Sequence, residues 1–176
     1  MSRSSSRRPF PAARTADPGA VLLYSDSASH ASGGTSNGLT TAFTQATVAR
    51  LAGKGLVDRV GVEMHLHASD PPDPADVVRT LQSYAVPVCI TEFDIDLSRV
   101  AGTIDEKYAL QAEITASMLK AVRDCGVCQS FTVWGIGDGV ADQWLQQPGA
   151  PAPMATSSDG NLQPKPFFAA LLAGIA

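Results

Sequence analysis

Apolar residues come along this chain in two rhythms that alternate. Short apolar runs ending on a polar or charged residue read as strands: "AVLLYSD" (20–26), "RVGVEMHL" (59–66), "VPVCITE" (86–92) and "CQSFTVWGI" (128–136). Between and after them lie segments with apolar residues at helical spacing. These are "LTTAFTQATVARLAGKG" (39–55), "DPADVVRTLQSYA" (73–85), "TIDEKYALQAEITASMLKAVRDCG" (103–126) and "KPFFAALLAGI" (165–175). Their ends carry the matching punctuation. Gly53 and Gly55 stop the first helix, and Asp73 with Pro74 opens the second as N-cap and first helical residue. Thr103 and Glu106 have the spacing of a capping box for the third.

Four strand–helix repeats, with strands too apolar to keep one wet face, imply parallel strands covered by helices. Two α/β architectures fit: an open doubly wound sheet, or part of a (β/α)8 TIM barrel. A phosphate-binding open sheet would carry G-x-G-x-x-G or a P-loop after a strand, and the chain has neither. Polar and aromatic residues gather instead where strands end: Asp26, Glu63 with His65, Glu92 with Asp94, and Trp134. Barrel enzymes build their sites at that rim. Four units are half of such a barrel, which takes about 250 residues.

Composition narrows the picture further. The 176 residues, 44% hydrophobic and 17% charged, suffice for one ordinary domain with its own core. A net charge of -4 and no Lys/Arg stripe argue against a nucleic-acid partner. No stretch reaches the roughly 18 apolar residues that a membrane span needs. Residues 1–11, Ser-rich with Arg3, Arg7 and Arg8, read as a disordered tail without the apolar segment of a secretory signal. Residues 12–176 make up the domain. The three cysteines Cys89, Cys125 and Cys128 include a C-x-x-C at 125–128. Zinc would need two more ligands, and there is no second C-x-x-C or H-x-x-x-H to supply them. The two histidines of "HLH" (65–67) are read as lying on opposite faces of a strand, which keeps them from closing such a site. Structural thiols are expected, with no metal and no cofactor.

Two crowded or conspicuous features are weak as chemistry. "SDSASH" (25–30) holds Ser, Asp and His but no nucleophile elbow, and a triad is a matter of geometry. Trp134, followed by "GIGDG", and Trp144 are, taken singly, better read as core packing, although sugars stack on indole faces. Glu92 and Asp94 are stronger candidates. They point to the same side of a strand, and His65 ends the preceding strand within reach of a neighbouring carboxylate. A carboxylate held by a histidine near other acids suits a nucleophile or base with a tuned pKa. The same acids would equally serve to solvate a loop, and Asp96 reads as plain loop.

"ITEFDI" (90–95) resembles the nucleophile strand I-T-E-[LF]-D-[IV] of glycoside hydrolase family 10, the endo-1,4-β-xylanases. Four more segments resemble that family in the same order. They are "AARTADPGAVLLYSD" (12–26), like A-R-x-A-D-P-x-A-x-L-Y-x-N-D; "VGVEMHL" (60–66), like V-G-x-Q-x-H-[LI]; "FTVWGIGDGVADQWL" (131–145), like T-V-W-G-[VI]-x-D-x-x-S-W-L; and "QPKPFFAAL" (163–171), like the closing K-P-A-[YF] helix. The resemblance implies that residues 12–176 are the C-terminal half of the family's barrel, strands five to eight. It implies Glu92 as the nucleophile of a retaining reaction on β-1,4-xylosidic bonds, His65 beside it and Asp94 orienting that histidine. Trp134 and Trp144 match the tryptophans walling the sugar site, and Glu63 and Asp26 join the supporting group. Xylan or xylo-oligosaccharide is the implied partner, and members of the family are usually secreted.

The departures from the family pattern carry as much weight. Its acid/base is a Glu in W-D-V-V-N-E, which does not occur in these 176 residues. Glu63 stands where the family has Gln; like charges raise one another's pKa, which would make Glu92 a poorer nucleophile. Ser25 stands where the family has Asn, and Cys125 lies too near Cys128 to match the family's first disulfide cysteine. A half barrel would leave strand edges at 20–26 and 129–134 unpaired. A second copy, giving a homodimer, or a separate N-terminal half-barrel partner would cover them.

Overall fold

The computed structural model describes residues 9–27, 30–31, 38–138 and 154–175. Among them the order of elements is α1 (Pro9–Ala16), β1 (Leu23–Ser27), α2 (Gly38–Ala52), β2 (Arg59–His67), α3 (Pro74–Gln82), β3 (Val88–Asp96), α4 (Ile104–Asp124), β4 (Cys128–Phe131) and α5 (Pro166–Ile175). The four strands form one parallel sheet in the order β1-β2-β3-β4. Strand order therefore follows chain order with no switch point. That is the winding of a barrel wall, whereas a doubly wound sheet reverses direction in its middle.

The helix ends follow the local chemistry. Asp73 caps α3 by accepting from Ala75 N at 2.9 Å, with Pro74 in the first turn. Thr103 and Glu106 close a reciprocal capping box on α4. Helix α1 begins at Pro9, so residues 9–11 are helical and not part of a disordered tail. Arg14 holds α1 in place by donating to Gly55 O at 3.0 Å, Ala20 O at 2.6 Å and Asp58 Oδ2 at 2.6 Å.

Three strands differ in extent from the sequence reading, β1 beginning only at Leu23. β3 runs on through Asp96, so the acids expected at or beyond the strand end lie inside it. β4 is regular only to Phe131. The chain still follows β3 beyond that point, with Thr132 N donating to Ile90 O at 2.9 Å and Trp134 N to Phe93 O at 2.8 Å.

One face of the sheet makes the core. Val60, Val62, Met64 and Leu66 of β2 lie in register with Val88, Ile90, Phe93 and Ile95 of β3. All eight are fully buried, and Val48 and Leu51 of α2, Val77 and Leu81 of α3, Met118 and Leu119 of α4, and Phe167 of α5 are buried with them. Each such side chain contributes about 1.5–3 kcal/mol of burial. The opposite face carries the polar residues, and the candidate chemistry with them.

Candidate active site

The apolar positions of β3 are 88, 90, 93 and 95, so their alternation slips by one residue in the middle of the strand. The structure absorbs that slip as a bulge. Val62 pairs with Ile90, but Glu63 pairs with Glu92, leaving Thr91 as the extra residue. Without it Glu92 would sit opposite Met64 and point into the core beneath the helices. With it, Glu92, Asp94 and Asp96 all turn to the polar face, in register with Glu63, His65 and His67. Bulges commonly re-aim side chains in this way beside sites of chemistry. Thr91 itself stays on the polar face, with Oγ1 3.2 Å from Ser25 Oγ. Room for that meeting comes from Gly61, where a Cβ would lie 2.6 Å from Leu23 Cδ2 and 3.0 Å from Thr91 Cγ2.

Three rungs of paired polar residues result. On the first, Glu63 faces Glu92, and Ser25 Oγ donates to Glu63 Oε1 at 3.4 Å. On the second, His65 sits between two carboxylates. Its Nδ1 is 3.0 Å from Asp94 Oδ1 and its Nε2 2.9 Å from Glu92 Oε2. Both nitrogens donate only in the protonated ring. On the third, His67 Nδ1 lies 2.9 Å from Asp96 Oδ2.

Burial grades these groups. Asp94 is fully buried, whereas His65 and Glu92 are each about one-fifth exposed, at 19% and 22%. Burial disfavours the His65 imidazolium, yet the hydrogen bonds and charges of Asp94 and Glu92 outweigh it and raise the pKa. The Glu63 pKa is raised, first by burial and then by the Glu92 carboxylate beside it. Trp134 stands edge-on to His65, ring centres 6.0 Å apart at 88°, with its indole 38% exposed on the polar side.

Other residues singled out in the sequence fall elsewhere. Asp26 lies on the face opposite Glu63, accepting from Tyr24 Oη at 3.1 Å and Thr44 Oγ1 at 2.7 Å. It ties β1 to α2 and is not brought to Glu92; burial, then the Asp26 charge, push the Tyr24 phenol up to about 12. Trp144 lies outside the described residues. Asp96 is not plain loop. It is 3% exposed, ends β3, and also accepts from Ser98 N at 2.7 Å. The histidines of "HLH" share one face, because strand side chains repeat every two residues. Cys125 and Cys128 are free thiols with Sγ atoms 3.3 Å apart at the other end of the sheet, and burial pushes the Cys128 thiol up.

Two features of the site were not found from the sequence. The His67–Asp96 rung has the same spacing as His65–Asp94, and that repeat was the available signal. His30 is buried against the Glu63 backbone, and desolvation lowers its pKa to about 4; nothing in its neighbourhood in the sequence announces that. As possible metal donors, Glu63, His65 and Glu92 each bring one ligand atom into a group spanning 4.8 Å.

Consecutive parallel βα units in chain order, with acids, a histidine and an exposed indole gathered on one face, have the arrangement of one wall of a β/α barrel. The chain belongs to glycosyl hydrolase family 10, whose pattern it matches over residues 6–173. It is similar to endo-1,4-β-xylanase A of Cellvibrio japonicus, 30% identical over 184 residues that cover 90% of this chain and 28% of that protein. Native xylanase 10B from Thermotoga maritima superposes with a TM-score of 0.80 at 25% identity, over 94% of this chain and 50% of that one. Xylanase 10B from Thermotoga petrophila RKU-1, solved with xylobiose, gives 0.79 at 26% identity, over 94% and 49%. The chain thus spans about half the length of these solved relatives.

Proposed function

We propose that this chain is the nucleophile-bearing half of a retaining endo-1,4-β-xylanase barrel, residues 12–176 standing for strands five to eight. The observation that carries the reading is the bulge at Thr91. It turns Glu92 onto the polar face and leaves it hydrogen-bonded to a histidine that a buried Asp94 orients. Glu92 attacks the anomeric carbon of the bound xylose, the glycosidic bond breaks, and a glycosyl ester forms on the carboxylate. His65 holds the attacking oxygen in place, Asp94 fixes the imidazole, and Trp134 offers an indole face to the sugar ring. Departure of the sugar hydroxyl calls for a second carboxylic acid about 5–5.5 Å from the first. No W-D-x-x-N-E segment in these 176 residues provides it. Losing general acid catalysis costs on the order of 10²–10⁴ in rate.

The test separates the two halves of the chemistry. An aryl xylobioside with a leaving group that departs without a proton, and a 2-fluoro substituent to slow hydrolysis of the ester, needs a nucleophile but no acid. Mass spectrometry should find its glycosyl group on Glu92, and on no residue of Glu92→Gln. Natural xylan should show no turnover in the 1–10³ s⁻¹ range usual for enzymes. Labelling elsewhere, or rapid xylan hydrolysis by the chain alone, contradicts the proposal.

A second reading rests on the sheet edges. β1 and β4 each have one strand neighbour among the described residues, and exposed parallel edges favour pairing with another chain. An assembling, non-catalytic sugar-binding module would use those edges and the indole without the nucleophile. It predicts xylo-oligosaccharide binding that survives Glu92→Gln, with no label on Glu92.

A further inference from the structure

One acid beside Glu92, Glu63, has no part in the glycosidase reading, and with its neighbours it makes a donor set of another kind. Glu63 and Glu92 are register partners on adjacent strands, and His65 lies two residues further along the same face. One oxygen from each acid and one imidazole nitrogen therefore all lie within 4.8 Å of one another. Side-by-side carboxylates repel, more strongly when half-buried than in open water, and no Lys or Arg is paired with either among the described residues. The imidazole is already arranged for coordination. Its Nδ1 is committed to Asp94 Oδ1 at 3.0 Å, and Asp94 is fully buried, so Nε2 is the nitrogen directed at the acids. A carboxylate behind the far ring nitrogen is the outer support that metal-binding histidines generally have. Ligand bonds of about 2.0–2.2 Å set tetrahedral donors about 3.4 Å apart, which small carboxylate rotations reach from this spacing. Partial exposure of all three side chains leaves room for water as a further ligand.

We propose that Glu63, His65 and Glu92 bind one first-row divalent cation, zinc by preference, with Asp94 as the outer support. Two carboxylates and an imidazole, with no sulfur, are donors that suit zinc, cobalt or manganese. As the ion binds, it takes the place of the Nε2 proton shared with Glu92, and that proton leaves to solvent. Glu63 is the decisive residue, because an amide there would leave one charged ligand and one imidazole. The proposal stands on the geometry of these side chains and goes beyond the glycosidase reading. Labelling of Glu92 in metal-free buffer succeeds or fails independently of it.

Cobalt(II) chloride titrated into the metal-free 176-residue chain is the test, followed through visible ligand-field bands and repeated calorimetrically with zinc chloride. One equivalent should bind, without the near-UV sulfur charge-transfer band that the Cys125–Cys128 pair would give. Glu63→Gln should weaken binding at least about tenfold and Asp94→Asn by about 10–100-fold, each variant keeping the wild-type circular dichroism spectrum. Absence of saturable binding overturns the proposal. So does a spectrum dominated by sulfur bands, or an affinity that neither folded variant changes.

Discussion

His65 is where burial and charge oppose each other most directly. Desolvation works against its imidazolium, and two carboxylates, one on each nitrogen, win. Asp94 is the larger of the two influences, so Asp94→Asn should bring the His65 pKa down from its raised value. A pH titration of the His65 ring protons by NMR reads this directly; an unchanged midpoint would remove Asp94 from its positioning role. His30 shows the opposite balance, for burial holds it neutral with a pKa of about 4. Its folded pKa is depressed, so its contribution is present above the unfolded value of about 6.5. It is lost as pH falls from there towards 4, because the unfolded chain takes up a proton that the folded site refuses. The loss should be on the order of 3 kcal/mol, measured as the difference between wild type and His30→Gln in urea unfolding at pH 7 and pH 4. That His65 reaches a neighbouring carboxylate was legible from its place near the end of an apolar run, but its pairing with Asp94 was expected only from the family resemblance. The His67–Asp96 pair was missed because Asp96 was placed past the strand end and the two histidines were placed on opposite faces. His30 was not legible at all, since its burial depends on where β2 passes and not on its neighbours.

Among the elements, helices α2 to α5 were readable nearly to their ends, whereas α1 was not expected. The N-caps of α3 and α4 are local chemistry, and the structure has both where the sequence indicates. Strand extents were harder, because they are set by pairing with a neighbour. β3 runs four residues past Glu92 for as long as β2 accompanies it, while β4 loses regular pairing after Phe131. The phase slip at 88, 90, 93 and 95 was present in the sequence, but only the partner strand shows which residue bulges. Phe93 follows the bulge and anchors it. The ring is fully buried, 4.8 Å from the Phe131 ring and 5.8 Å from that of Phe167, so it joins β3, β4 and α5. Phe93→Ala should remove about 3–5 kcal/mol of stability, seen as a lower urea midpoint. Loosening β3 beside the bulge should also lower the yield of glycosyl label on Glu92. A variant that unfolds at the wild-type midpoint would show that the aromatic cluster does not hold the strand.

At the scale of the whole molecule, the four strands of the described residues form an open sheet. Its outer strands β1 and β4 keep one hydrogen-bonding side each without a strand partner among the described residues. The face bearing Ser25, Glu63, Glu92 and Trp134 is partly or fully exposed. An unpaired parallel edge is a template for another chain. Two occupants meet its geometry: a second copy of this chain, or a polypeptide supplying the first four strands of a family 10 barrel. Under the proposed function they differ in chemistry, because only the second would supply the acid/base Glu that the reaction calls for. Light scattering after size exclusion should therefore find the chain self-associated when alone. Adding the N-terminal half of a family 10 xylanase as a separate polypeptide should convert it to a one-to-one complex. Xylan turnover by that complex should exceed that of either half by at least about 10². The same complex built with the acid/base Glu changed to Gln should form equally well and gain no turnover. A chain that stays monomeric at every concentration and forms no complex would show that the strand edges do not recruit a partner. Nucleophile and acid would then have no route to a shared site through this surface.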